Sequence, residues 1–204
     1  MGQSLTDETV YDVPSAGAGC FSLMAAASYD EYIANAWTTQ GEYTSATYYH
    51  REELENRELI NGIDVSWWQG GGRGSTNSYI QWEKAHEDGI DFAFVRVASR
   101  DTEDGSIYED TTANAHVKGA KANDISIGLY IFSQALNEKE AREEADYVID
   151  LIDEYGWNPT LPIVMDRENG SSKRLVAGKL SQKAETDICI AFADEVRDAG
   201  YNPM

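Results

Sequence analysis

The sequence predicts an α/β protein built on a parallel sheet that curves in the manner of a TIM-like barrel. Three observations lead there. From residue 61 to the end of this 204-residue chain, short apolar runs alternate with amphipathic segments in four successive strand–helix units. Consecutive units of this kind make a parallel sheet with right-handed crossovers. Residues 91–98, Asp-Phe-Ala-Phe-Val-Arg-Val-Ala, are apolar on both faces, as a strand covered on both sides should be. Polar residues gather at the C-terminal ends of different strands: Asp64, then Ser133 and Gln134, then Asp166 and Glu168. Barrel enzymes carry their chemistry at that end, which favours a barrel over a doubly wound sheet.

Each element has a local reason. Residues 62–66 read as a short strand, and residues 79–88 as a helix closed by Gly89. The strand at 91–98 is followed by a helix over 109–123 and a strand over 126–132. Asn137 with Glu140 three residues on forms a capping-box pattern. It opens a helix whose apolar stripe is Ala141, Ala145, Val148, Ile149, Ile152 and Tyr155, and Gly156 ends it. A strand at 161–165 carries the acid pair at its end, and a last helix runs over 181–199 to Gly200. Residues 1–60 form a separate extension. No Lys or Arg precedes Arg51, and acids precede the small apolar patch at 16–27, which is unlike a secretory signal. Residues 28–49 show no sustained period, and a short helix near 22–36 is the one element expected there.

Composition excludes several classes of function. A net charge of −20 and a pI near 4.3 leave no basic surface for a phosphate backbone, so no nucleic-acid partner is expected. No apolar run reaches the roughly 20 residues of a membrane span. Cys20 and Cys189 match no metal or redox spacing, and His50, His86 and His116 match no ligand spacing, so neither metal nor cofactor is expected. The glycine-rich loop at 70–75 lacks both the dinucleotide-binding spacing and the Lys-Ser/Thr of a phosphate-binding loop.

The acids carry the chemistry. Residues at i and i+2 of a strand share a face, so Asp166 and Glu168 should project into one cavity while Arg167 turns away. Breaking a glycosidic bond needs a proton for the leaving oxygen and negative charge beside an oxocarbenium-like centre, which two carboxyl groups of unlike protonation supply. Like charge in a partly dry pocket predicts a raised pKa for Glu168. Backbones about 6.6 Å apart leave open whether the carboxyls have retaining or inverting spacing. Asp64 is a third candidate acid, with capping of the following loop as its alternative role. Trp67 and Trp68 alternate in direction, one for the core and one for a sugar ring. Trp67, Gln69, Arg96, Tyr130, Phe132, Ser133 and Gln134 are the candidate substrate contacts. Packing competes with binding for Tyr130 and Phe132, and tying down a loop competes for Ser133 and Gln134. Arg96, inside an apolar strand, requires a carboxylate partner.

Four stretches in order, Asn-Gly-Ile-Asp-Val-Ser-Trp-Trp-Gln-Gly, Gln-Trp-Glu-Lys ahead of Asp-Gly-Ile-Asp-Phe-Ala-Phe-Val-Arg, Gly-Leu-Tyr-Ile-Phe-Ser-Gln-Ala, and Leu-Pro-Ile-Val-Met-Asp-Arg-Glu, resemble the lysozymes of glycoside hydrolase family 25 over residues 61–204. The resemblance implies an irregular eight-stranded β/α barrel that cleaves the β-1,4 bond between N-acetylmuramic acid and N-acetylglucosamine in bacterial peptidoglycan. It makes Glu168 the general acid/base, Asp166 its partner and Asp64 a third active-site acid, and it leans towards assistance by the substrate's acetamido group. About four of the eight strands fall within this chain, so residues 61–204 are expected to be the first half of a catalytic barrel, a fragment of a longer protein rather than a half-barrel pairing with another chain. The loop at 70–78 is longer than the family's usual link. A peptidoglycan substrate implies a secreted protein, or a phage product released at lysis. A wall-binding module without turnover, and another barrel glycosidase such as a chitinase, are the alternative functions.

Overall fold

The computed structural model describes residues 35–39, 46–50, 60–168 and 173–204. The chain divides into two compact units, Met1–Leu54 and Glu55–Met204. In the first unit, β1 (Asn35–Thr39) and β2 (Ala46–His50) pair antiparallel, with Asn35 opposite His50 and Thr39 opposite Ala46. Most of the helix expected near 22–36 lies outside the described residues, and its last two positions, Asn35 and Ala36, belong to β1.

The second unit is an α/β fold on a parallel sheet, as its alternating pattern predicts. Its strands are β3 (Asn61–Val65), β4 (Ile90–Arg100), β5 (Ile107–Glu109), β6 (Ser126–Phe132) and β7 (Ile163–Asp166). The parallel order is β3-β4-β6-β7, and the short β5 runs antiparallel to the end of β4. At the outer edge of β7, residues 202–204 pair with it in parallel: the Ile163 amide donates to the Asn202 carbonyl at 2.8 Å and the Met165 amide to the Met204 carbonyl at 3.0 Å.

Helices α1 (Trp82–Glu87), α2 (Ala113–Lys121), α3 (Glu138–Tyr155), α4 (Lys173–Gly178) and α5 (Gln182–Asp198) complete the unit. The apolar stripe of α3 is buried at Ala141, Ala145, Val148, Leu151 and Ile152, and α5 packs on it through Ile188, Ala191, Phe192 and Val196. Asn137 caps α3 by accepting the Glu140 amide at 3.0 Å. The expected reciprocal half of that box is altered, because the Glu140 carboxylate takes the Leu136 amide instead. Gly156 ends α3 in the left-handed region at φ 64°, where a Cβ would be strained.

The helix expected over 109–123 is split. Residues 107–109 become β5, and the Asp110 carboxylate then accepts the Thr112 amide and hydroxyl, turning the chain into α2. Helix α4 has no counterpart in the sequence expectations.

Register decides which side chains share a face. Cross-strand partners in parallel strands lie on the same side of the sheet. One face carries Ala93, Val95, Ile127, Leu129, Ile131 and Ile163, all buried in the core. The opposite face carries Asp64, Phe94 and Gly128 in one row, then Arg96, Tyr130 and Val164. The next row is Tyr108, Ser99, Phe132 and Asp166. Gly128 has no side chain because Phe94 lies over it: a Cβ there would sit 2.2 Å from the ring.

A β-bulge between Arg96 and Ala98 shifts this pairing by one residue. Arg96 and Arg100, four apart, would otherwise face the same way. The bulge sends Arg96 to the open face and Arg100 to the helix side, where its Nε donates to Glu144 of α3 at 2.7 Å.

Candidate active site

The open face of the sheet holds the acids. Asp64 stands on β3 and Asp166 is the last residue of β7, on the same face by register. Glu168 follows two residues beyond the strand end and is exposed. Arg167 between them points elsewhere, its Nε donating to Glu185 of α5 at 2.6 Å.

Burial, then the Glu168 charge, then the Asp64 charge push the Asp166 carboxyl up to about 6, against the pull of Arg96. Burial also raises Asp64, again opposed by Arg96. Asp64 keeps exposed surface. The carboxyl that burial and like charge load most is that of Asp166, on the strand itself. The Tyr130 hydroxyl is held well above its ordinary range, first by burial and then by the Asp64 charge.

Arg96 finds its carboxylate in Asp110. The Nε–Oδ2 distance is 3.0 Å, both side chains are buried, and the same Asp110 oxygen accepts the Trp67 amide at 2.9 Å. The Arg96 guanidinium also lies 4.0 Å from the centroid of the Trp67 ring, and its Nη2 is buried without a hydrogen-bond partner. Asp110 therefore fixes both the guanidinium and the indole at the end of β3. Sequence reasoning missed it, although the Asp-x-Thr pattern ahead of α2 and the need of Arg96 for an acid were both visible.

The other candidates separate into two groups. Trp67, Tyr130 and Phe132 are half-buried on or beside the open face. Trp67 stacks parallel to Tyr108 with ring centroids 6.1 Å apart, while Trp68 is 62% exposed. Tyr108 joins this wall because β5 exists, a strand without a sequence signal. Gln69 is exposed, but its side-chain oxygen accepts the Ser66 amide at 2.9 Å and so caps the turn after β3. Ser133 and Gln134, expected as substrate contacts, have no exposed surface. Ser133 follows Phe132 and so points to the opposite side, towards Glu144 and Arg167; the Gln134 amide donates to Glu144 and its carbonyl accepts from Arg174. They correct the expectation by tying the loop after β6 to α3 and α4.

Among the described residues no group of three or more His, Cys, Asp or Glu could hold a metal ion, and no helix is long and apolar enough to cross a membrane.

Carboxylates at the C-terminal ends of the strands of a parallel α/β sheet stand where β/α-barrel enzymes carry their chemistry. The chain belongs to the glycosyl hydrolases family 25, whose family model matches residues 63–204. It is similar to the modular autolysin LytC from Streptococcus pneumoniae, solved in complex with a synthetic peptidoglycan ligand, at 25% identity and a TM-score of 0.53, covering 69% of this chain and 31% of that one. The family GH25 lysozyme from Aspergillus fumigatus shares the fold at 23% identity and a TM-score of 0.54, covering 71% of this chain and 63% of that one. The catalytic domain of endolysin ply40 from bacteriophage P40 of Listeria monocytogenes shares it at 18% identity and a TM-score of 0.50, covering 70% and 60%. This chain thus spans about a third of the length of the autolysin and under two thirds of the other two. No curated protein sequence matches it.

Proposed function

We infer that this chain carries the acids of a muramidase, cleaving the β-1,4 bond between N-acetylmuramic acid and N-acetylglucosamine in peptidoglycan outside the producing cell. The observation that supports this most is the shared face of Asp64 and Asp166, with Glu168 near enough to raise the Asp166 pKa. The peptidoglycan ligand of the similar autolysin supports the substrate class.

In this reading Glu168, facing solvent at the strand end, donates a proton to the leaving glycosidic oxygen as the anomeric C–O bond breaks. The carbonyl oxygen of the neighbouring acetamido group closes on the anomeric carbon, and Asp166 accepts the acetamido N–H and steadies the developing positive charge. Water then attacks the anomeric carbon, breaking its bond to the acetamido oxygen and giving a proton to the Glu168 carboxylate, which restores the acetamido group and the starting state. Asp64 adds negative potential on the same face. Trp67, Tyr130 and Phe132 supply the apolar and aromatic surface against which sugar rings stack.

The test is release of reducing ends from purified peptidoglycan and from chitin. Glu168→Gln should lower the rate on peptidoglycan on the order of 10²- to 10⁴-fold, the usual contribution of a positioned acid/base. Near-normal turnover by that variant removes Glu168 from the mechanism. Binding to peptidoglycan without release by the unaltered chain favours a wall-binding module, and preference for chitin favours a chitinase.

A further inference from the structure

We propose that Arg73 is a specificity-determining residue that receives a carboxylate of the peptide-bearing substrate, an inference that rests on the muramidase reading above. Six of the seven arginines among the described residues are within salt-bridge distance of a carboxylate: Arg96, Arg100, Arg142, Arg167, Arg174 and Arg197. Arg73 is the exception, in a protein with 36 acids and 16 bases. Its guanidinium carbon instead lies 4.1 Å from the centroid of the Tyr108 ring and 5.8 Å from that of Trp67.

The position is built. Arg73 sits in the glycine-rich loop after β3, where Gly71, Gly72 and Gly74 all have positive φ, a backbone path open to few other residues. Backbone bonds to the Trp67 carbonyl from the Gly70 and Gly72 amides hold one end of the loop, and the Thr111 hydroxyl donates to the Ser75 carbonyl at the other. Gly70 lies so close to Thr112 that a Cβ would meet its methyl at 2.4 Å. The loop is packed down onto the start of α2, and Arg73 is laid over the aromatic wall.

The place relative to the acids follows from register. Tyr108 is in the same row as Ser99, Phe132 and Asp166. Three strand spacings separate it from Asp166, about 14 Å, a distance spanned by a short oligosaccharide. A guanidinium stacked on an aromatic face keeps its in-plane N–H donors free, and these match a carboxylate in a bidentate manner. Neutral sugar rings need no charge for recognition. The stem peptides of peptidoglycan do carry carboxylates, and Asp64, Asp166 and Glu168 would repel them from the centre of the site. Arg73 offers a cation at the edge of that acidic field.

Reducing-end release should be measured for the unaltered chain, Arg73→Gln and Arg73→Lys on two substrates: native peptidoglycan, and peptidoglycan whose carboxylates have been converted to amides with carbodiimide and ammonia. The expected native-over-amidated ratio of kcat/KM is about tenfold larger for the unaltered chain than for Arg73→Gln, the order of one charge-assisted hydrogen bond, and the difference should lie in KM. Arg73→Lys should retain part of it. An equal loss by Arg73→Gln on both substrates, or no loss on either, overturns the role of Arg73 while leaving the muramidase reading intact. An unaltered chain inactive on both substrates overturns that reading and the inference with it.

Discussion

Neutralising Asp166 should stabilise the fold at neutral pH and leave it unchanged in acid. An ordinary aspartate titrates near 3.8, and this one is pushed up to about 6 by burial, by Glu168 and by Asp64. Between those two pH values the unfolded chain has lost the proton while the folded chain still holds it. Stability contributed by the protonated carboxyl is therefore present below pH 3.8 and lost as pH rises through about 6. At 1.36 kcal/mol for each tenfold change in proton affinity, the full difference corresponds to about 3 kcal/mol. The side chain is only partly buried, and water screens part of that cost, so about 1–2 kcal/mol is the expected size. Urea unfolding followed by tryptophan fluorescence at pH 4, 5, 6 and 7.5 reads it directly. Asp166→Asn and the unaltered chain should differ in stability by about 1–2 kcal/mol more at pH 7.5 than at pH 4. A difference that stays constant across this range refutes the argument, because it would mean that Asp166 ionises alike in the folded and unfolded chain.

Two further outcomes follow from the packing. Asp110→Ala leaves Arg96 buried without its carboxylate and frees the Trp67 amide, so a loss of about 3–5 kcal/mol is expected in equilibrium unfolding; a loss below about 1 kcal/mol would show the pair to be solvated. Gly128→Ala forces a methyl into Phe94 and towards the Pro162 carbonyl, and should cost about 1–3 kcal/mol, measured as a fall in the urea midpoint at unchanged slope.

Local signals account for the parts of this protein that were legible in its residues. The runs at 91–98 and 126–132 are buried parallel strands because their apolar residues occupy both faces, and α3 spans Glu138–Tyr155 because a 3.6-residue stripe lies between an Asn cap and a left-handed glycine. Period-2 geometry is equally local, so Asp166 facing the mouth and Arg167 facing α5 could be anticipated from adjacency alone.

The same rule fails where one residue is added to a strand. A bulge at Val97 cannot be seen in the pattern, yet it reverses every side chain after it and gives Arg96 and Arg100 opposite partners, Asp110 and Glu144. Ser133 and Gln134 sit at a strand end as active-site residues do, but parity and the arrival of α3 seal them.

What the residues by themselves determined was the parallel α/β frame, the family, and which carboxylates lie at strand ends, because each depends on neighbours along the chain. Tertiary structure alone decided that burial and neighbouring charge raise the Asp166 carboxyl, that Asp110 anchors Arg96, and that Arg73 lies over the Tyr108 ring. Those properties are set by fields and contacts between segments tens of residues apart, and distance in space is not encoded in any local pattern.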